Sequence, residues 1–415
     1  MLFSASVPAP FSHRLDWSLT ENRLARSEAA ARLHPRFIDL TVTNPTLPEL
    51  GFPDVSQALS RALARHPAGI YAPTPAGLPS AREAVAAQYR AAGHAIDADR
   101  VVLTASSSES YGLLFKLLGD PGDAVLVPAP SYPLFEYLIR LEGLTPLPYR
   151  SSYEPLGRWH LDPPSLHDAA ARAAHQGRRV AAIVAVNPNN PTGAALCDDE
   201  ASALDRCCAQ HGAALISDEV FCDFVRRPPA GHVACLAARS ATVPTFSLGG
   251  LSKSCGLPQL KLGWIALGGP AGQLPETRAR LELVADTYLS VNGPVQHALP
   301  ELLHLGQTTR AAIEERLRTN EERLKATFDA PSAVTILRSD GGWSAVVRLP
   351  ATRTDEEWAL SLLEGEPVLA QPGFFFDLEG GVFLVLSLLP PPEAFAAGIG
   401  RLRALVARDL DAGPS

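Results

Sequence analysis

An α/β architecture is predicted by this sequence: a large domain built on a mainly parallel seven-stranded sheet flanked by helices, joined to a smaller α+β domain. Three observations predict it. Short runs rich in Val, Ile and Leu alternate with stretches of helical spacing, as strand–helix–strand returns require. The chain has 415 residues, more than one hydrophobic core usually serves. Beyond about residue 275 the alternation gives way to long, charge-laced helical stretches with isolated strand candidates.

Taken in order, the first 45 residues carry a helix-like stretch from Leu19 to Leu33. The proline-broken NPTLPELGFP follows and is expected to run over the surface of the larger domain, while the N-terminal segment 1–45 is expected to pack with the smaller one. Seven buried-strand candidates come next: Val101 to Thr104, Ala124 to Val127, Leu144 to Tyr149, Val180 to Val186, Ala214 to Ser217, Thr245 to Leu248 and Trp264 to Leu267. Ser108 to Leu118 and Asp198 to Gln210 have helical patterning, and the second opens on Asp-Asp-Glu, which suits the positive end of a helix dipole. Pro275 to Phe328 is helical, and Ala345 to Leu349 and Val382 to Ser387 are later strands. The expected division is an N-terminal segment 1–45, a large domain 46–290 and a small domain 291–415.

Composition narrows the function classes. The formal charge of -8 is spread without basic clusters, which disfavours a nucleic-acid surface. No apolar run approaches the length of a membrane span. The start MLFSASVPAPFSHRL lacks the basic and apolar blocks of a secretory signal, so a cytoplasmic location is expected. All six cysteines fall between Cys197 and Cys255 without CxxC spacing, so neither a zinc site nor a disulfide framework is expected. Lysine is scarce: of 36 Lys plus Arg only Lys116, Lys253, Lys261 and Lys325 are lysines.

Lys253 sits in SLGGLSKSCGLPQLKLGW, after a strand candidate and among small residues that let a bulky ligand approach the backbone. The glycine spacing of a phosphate-binding P-loop is missing. Alone, such a lysine reads as a solvated surface residue. It can also be an amine made nucleophilic toward an aldehyde by desolvation. The difference lies in its company: VAVNPNNPTG ends one strand with Asn190, and ISDEVFCDF ends another with Asp218. Either residue alone reads equally well as a turn cap. Asn190 and Asp218 are 28 positions apart and Asp218 and Lys253 are 35 apart, one strand–helix–strand return each.

With these motifs the sequence resembles the class I and II aminotransferases, fold-type I enzymes that use pyridoxal 5′-phosphate (PLP), from about Asp39 to near the C-terminus. The resemblance implies that Lys253 carries the cofactor as a Schiff base. It also implies that Asp218 pairs with the pyridine nitrogen and keeps the ring an electron sink, and that Asn190 donates to the ring phenolate. Tyr132, in PAPSYPLFE, takes the place of the aromatic that stacks on the ring. Ser107 and Ser108, in TASSSESYGLLF, would offer hydroxyls and main-chain N–H groups to the phosphate at a helix N-terminus. Ser252 and Lys261 resemble further phosphate ligands, and Tyr71 matches a tyrosine that reaches the phosphate of a neighbouring subunit, implying a homodimer with shared sites.

Four positions depart from the family. Ser106 stands where glycine is usual, and Lys261 where arginine is, keeping charge but losing the bidentate fork. Phe221 stands where a tyrosine donates to the ring oxygen, so the expectation is a raised pKa for the lysine–cofactor imine. Val385, in GVFLVLSLL, replaces the arginine that clamps the substrate carboxylate; Arg338 and Arg348 are the nearest substitutes in sequence, or the amino donor is unusual. Phe374, Phe375 and Phe376 could line an apolar pocket or pack in a core. Cys255, two residues past Lys253, suggests oxidation sensitivity. The expected activity is transamination between an amino donor and a keto acid, and a lyase or decarboxylase on the same fold is the alternative. A regulator on this fold would need a DNA-binding domain, for which the first 45 residues leave no room.

Overall fold

The computed structural model describes residues 11–15, 21–46, 50, 54–65, 69–153, 157–329 and 332–412. In chain order its strands are Ile38–Asp39 (β1), Val101–Thr104 (β2), Ala124–Ala129 (β3), Thr145–Ser152 (β4), His160–Leu161 (β5), Val180–Val186 (β6), Ala214–Asp218 (β7), Thr245–Gly250 (β8), Gly263–Gly268 (β9), Thr335–Ile336 (β10), Ser344–Leu349 (β11), Val368–Leu369 (β12), Gln371–Pro372 (β13) and Val382–Ser387 (β14). Leu19, where the first helix was expected to begin, lies outside the described residues. The helix itself runs Arg23–Ala31, and Asn22 Oδ1 caps it by accepting from Ala25 N at 2.8 Å.

The large sheet has the order β2-β9-β8-β7-β6-β3-β4-β5. All seven expected strands are in it. The count is eight rather than seven because β5, a two-residue edge strand antiparallel to β4, is too short to leave any alternating pattern in the sequence. From β8 through β7, β6 and β3 to β4 the pairings are parallel, while β9 runs antiparallel to both its neighbours. Alternate strand residues go to opposite faces, as the two-residue period demands. Val125, Val184 and Ile265 pack against the Ser107–Leu118 and Leu274–Asp286 helices, whereas Leu126 and Ile183 pack against the Pro163–His175 and Asp198–His211 helices. Strands buried on both faces read as continuous apolar runs, which is why the sequence pattern locates them.

The small sheet has the order β10-β11-β14-β13, all antiparallel. One face, through Ala345, Val347, Leu384 and Leu386, packs on the Asp355–Gly365 and Pro392–Ala412 helices in a core that also takes Leu24 and Leu40. Its other face, through Val346, Phe383 and Val385, packs on Trp159, Phe376 and Leu378. The Gly293–Thr327 helix, about 52 Å long at the α-helical rise, joins the two bodies. Val295, Leu299 and Leu302 pack with Val85 and Leu251 of the large body, and Ile313, Leu317 and Leu324 pack in the small one. Among the described residues no helix is long and apolar enough to cross a membrane.

Gly306 lies where this long helix presses on the turn that carries Lys253. A Cβ there would run into the Cys255 side chain and stand 2.9 Å from Cys255 Cα. Alanine would favour the helix by about 1 kcal/mol, but neither packed backbone can give way, and overpacking costs about 1–3 kcal/mol. Gly306→Ala is therefore expected to lower the midpoint of denaturant unfolding despite its better helix propensity, and an unchanged or raised midpoint would refute this packing argument.

Candidate active site

Parallel pairing brings the carboxyl ends of β3, β6, β7 and β8 to one edge of the sheet, where open α/β sheets bind ligands. Register places Asp218, the last residue of β7, beside Val186 of β6 and Leu248 of β8, and Asn187 N donates to Asp218 O at 2.8 Å. The Asn187–Gly193 loop that carries Asn190 thus leaves the sheet next to Asp218. Beyond Leu248 the chain passes Gly249 and Gly250 into the short Leu251–Ser254 helix, which holds Ser252 and Lys253.

Lys253 Nζ lies 4.9 Å from the centroid of the Trp343 ring and 5.5 Å from that of Phe221. Burial lowers its pKa, opposed by the charge of Asp218. The Asp218 carboxyl is pushed up to about 6 by burial, although Val220 N donates to Oδ1 at 3.2 Å, Tyr111 Oη donates to Oδ2 at 3.1 Å, and Lys253 is nearby. Desolvation outweighs these stabilising partners, so the carboxylate lacks a full counter-charge. A protonated pyridine nitrogen would supply one. Glu219, next in the chain, is a separate buried carboxyl pushed up to about 7 by burial. Its Oε1 accepts from Ser247 Oγ (2.7 Å) and Leu236 N (2.9 Å), which directs it away from the cleft and into the fold.

At the other end, Ser106 caps the Ser107–Leu118 helix, its Oγ accepting from Glu109 N at 3.1 Å. The Ser107 and Ser108 N–H groups in that first turn have no intrahelical acceptor and suit an anion. Leu251 N donates to Leu262 O at 3.0 Å, which ties the Lys253 turn to the loop holding Lys261, itself exposed and in the left-handed region at φ 51°. Tyr132 is 42% exposed, meets Phe135 edge-on, and lies close enough to Asp218 for that charge to help burial raise its pKa.

Asn189 joins the loops. Its Nδ2 donates to Pro130 O at 3.2 Å, two residues before Tyr132, and its Oδ1 accepts from Thr192 Oγ1 at 2.9 Å, so the Asn190 loop and the Tyr132 loop are held together. Gly193 is at φ 68°, and a Cβ there would collide with Ser339 Oγ and Gly341 O. Only glycine lets the Ser339–Gly342 loop, and with it Trp343, close over the site.

Tyr71 is not brought to Lys253 within this chain. It is 86% exposed on a cleft of about 560 Å³ lined by Tyr71, Thr74, Leu103, Leu113, Tyr288 and Gln296. Phe221 packs edge-on against Trp343, their centroids 5.3 Å apart. Val385 is 2% exposed on the small-sheet face shared with Trp159, Phe376 and Phe383. Arg348 pairs with Phe383, four positions along β11 from Ser344. At the usual strand rise that places it about 14 Å from the end that meets Lys253. Arg338 N donates to Tyr153 Oη at 3.0 Å, and its half-exposed guanidinium lies 3.7 Å from Asp340. Phe375 and Phe376 pack in the clusters against the small sheet, while Phe374 is nearly half exposed. Cys255 is buried and its thiol is pushed up to about 11 by burial, so the expected oxidation sensitivity is disfavoured: little thiolate forms near neutrality.

Two residues of this constellation escaped the sequence reading. Tyr111 is four residues after Ser107, so it shares that helical face, and this spacing could have pointed to it. Trp343 had no local signal, since it reaches Lys253 only through the closure of the small sheet.

Comparison with known proteins gives the family. The profile for aminotransferase class I and II matches residues 35–386. An alanine aminotransferase of Mycobacterium tuberculosis (strain H37Rv) is 30% identical over 407 residues, covering 94% of this chain and 91% of that protein. A glutamate–pyruvate aminotransferase of Escherichia coli (strain K12) is 28% identical over 309 residues, covering 72% and 74%. Among solved structures, an alanine aminotransferase from Pyrococcus furiosus superposes with a TM-score of 0.79 at 24% identity, covering 92% of this chain and 95% of that one, a likeness of fold. With a profile match over most of its length and a relative at this identity, the chain belongs to the class I and II aminotransferases and is a PLP-dependent aminotransferase.

Proposed function

We propose that Lys253 holds the cofactor covalently through Nζ and that Asp218 pairs with its pyridine nitrogen. Asn190 would donate to the ring oxygen, Tyr132 would stack on the ring, and Ser107, Ser108, Ser252 and Lys261 would hold the phosphate. When bound, PLP supplies an electron sink for the bond broken at the substrate α-carbon. The chain supplies the rest. As a free amine, Lys253 Nζ would take the proton from that carbon and deliver it to the carbon on the other side of the imine nitrogen, and burial favours the neutral amine this needs. Asp218 fixes a negative charge at the carboxyl end of β7, and the Ser107–Leu118 helix, whose Tyr111 donates to that carboxylate, supplies first-turn N–H groups for the phosphate. The large domain, residues 46–290, would carry these groups, with residues 291–415 forming the small domain and the segment 1–45 packing with it.

The amino donor is one whose acid group is not gripped from β14. The observation that carries this is Val385, buried among apolar side chains at the position where the family resemblance implies an arginine, with Arg348 on the same sheet face but two positions along, over the Phe383 ring. The named relatives make alanine, glutamate and pyruvate the first compounds to assay. The holoenzyme should be screened spectroscopically against these, aromatic amino acids and amines lacking a carboxylate. Conversion to the amine form of the cofactor identifies donors. Val385→Arg is expected to lower KM for α-amino acids by about 10-fold or more, the value of a charge-assisted pair. An unchanged substrate range in an active variant would refute the proposal.

A homodimer fits the exposure of Tyr71 and its neighbour Ile70 beside the cleft, since these side chains are covered if Tyr71 reaches a second copy. A cytoplasmic location completes the reading.

A further inference from the structure

We infer that Trp343 and Phe221 form a two-walled aromatic cradle that stabilises positive charge on the Lys253 nitrogen, and so set the pH at which that nitrogen loses its proton in the holoenzyme. The inference rests on Lys253 being the cofactor lysine. A cation within about 6 Å of a ring centroid is attracted by the ring quadrupole, most strongly by indole, and Lys253 Nζ meets this at 4.9 Å for Trp343 and 5.5 Å for Phe221. The rings cross at 71°, so they bound the amine on two sides rather than stacking on each other.

The cradle is rigid. Phe224 backs Trp343 edge-on at 5.2 Å, Gly342 N donates to Phe224 O at 3.1 Å, and Arg226 Nη1 donates to Gly342 O at 2.7 Å. Trp343 is 2% exposed, so bulk water does not compete at its face. Its indole N–H has no hydrogen-bond partner among the described residues. Phe221 contributes hydrocarbon where a tyrosine would contribute a hydroxyl, so in this chain the lysine side of the site is tuned by ring faces.

The other titratable groups around Lys253 are few. Asp218 from β7 favours its charged form; Tyr111 from the Ser107–Leu118 helix is hydrogen-bonded to Asp218, and Tyr132 stands beside Asp218. The Asp223–Arg310 ion pair, at 2.7 Å, lies beyond Cys255. None of these changes when Trp343 is replaced.

The test is a pH titration of the visible absorption of the holoenzyme. Trp343→Leu is expected to lower the midpoint by roughly half to one and a half pH units, and Trp343→Phe should recover most of that loss. Phe221→Leu, which leaves the Gly342 loop intact, should lower it by less. A midpoint unmoved in Trp343→Leu or raised in Phe221→Leu overturns the cradle, as does a Trp343→Phe midpoint as low as that of Trp343→Leu, which would assign the effect to the N–H rather than the ring face. A visible band that survives in Lys253→Ala would instead overturn the assignment of the cofactor lysine.

Discussion

Lys253→Ala is expected to abolish the visible absorption of the holoenzyme and to reduce transamination by at least about 10²–10⁴-fold, the value of a positioned general acid–base alone. Two functions are lost at once: the covalent hold on the cofactor and the amine that moves the substrate proton. Lys253→Arg separates charge from chemistry. A guanidinium keeps a cation beside Asp218 but stays protonated throughout the accessible pH range and cannot attack an aldehyde, so it should be as inactive as alanine while disturbing the fold less. A small primary amine added to Lys253→Ala should restore part of the rate, because it can occupy the space vacated next to Trp343 and accept the proton. Steady-state assays with a keto-acid acceptor and the absorption spectrum together check this. Either variant retaining both the band and more than a tenth of the activity would rule out Lys253 as the cofactor lysine.

The fold was legible because its strands are buried on both faces, and a doubly buried strand has no polar alternation to obscure it. Val180–Val186 is apolar at every position, and its bounds follow from the sequence directly. The two-residue strands His160–Leu161 and Ile38–Asp39 left no pattern, since pairing there is decided by neighbouring elements rather than by local residues. Asp218 could be singled out because it ends an apolar strand, Asn190 because the polar NPNNPTG loop follows another, and Lys253 because its turn follows two glycines. Tyr111 and Trp343 could not be found this way. Tyr111 sits in an ordinary amphipathic helix, and its hydroxyl meets Asp218 only once β7 has been threaded into the middle of the sheet. Trp343 needs the Gly193 crossing and the Arg226 tether before it can face Lys253. Asn189 shows the converse: adjacent to Asn190 and chemically identical, it makes structural hydrogen bonds that only the tertiary structure distinguishes.

Asp218→Asn is expected to reduce transamination by about 10²–10³-fold, the cost of removing one preorganised electrostatic partner, and yet to stabilise the cofactor-free protein near neutral pH. Burial raises the Asp218 carboxyl from 3.8 to about 6 in the fold. A raised carboxyl favours the folded state when protonated, so its contribution is fully present below the unfolded value and is lost as pH rises through about 6. At one pKa unit per 1.4 kcal/mol this amounts to at most about 3 kcal/mol. The cofactor-free wild type should therefore melt at a lower temperature at pH 7.5 than at pH 5. The asparagine variant should lose much of that slope but not all of it, because Glu219, raised to about 7, titrates over the same range. Cofactor reverses the sign for the wild type alone: a pyridinium beside the carboxylate favours the ionised form, so PLP should raise the wild-type melting temperature at pH 7.5 more than that of Asp218→Asn. Thermal melts of both proteins at the two pH values, with and without PLP, decide the matter. Equal stabilisation of the two by PLP would mean that Asp218 does not meet the ring nitrogen, and the strain of an uncompensated carboxylate in this cleft would then need a different ligand to account for it.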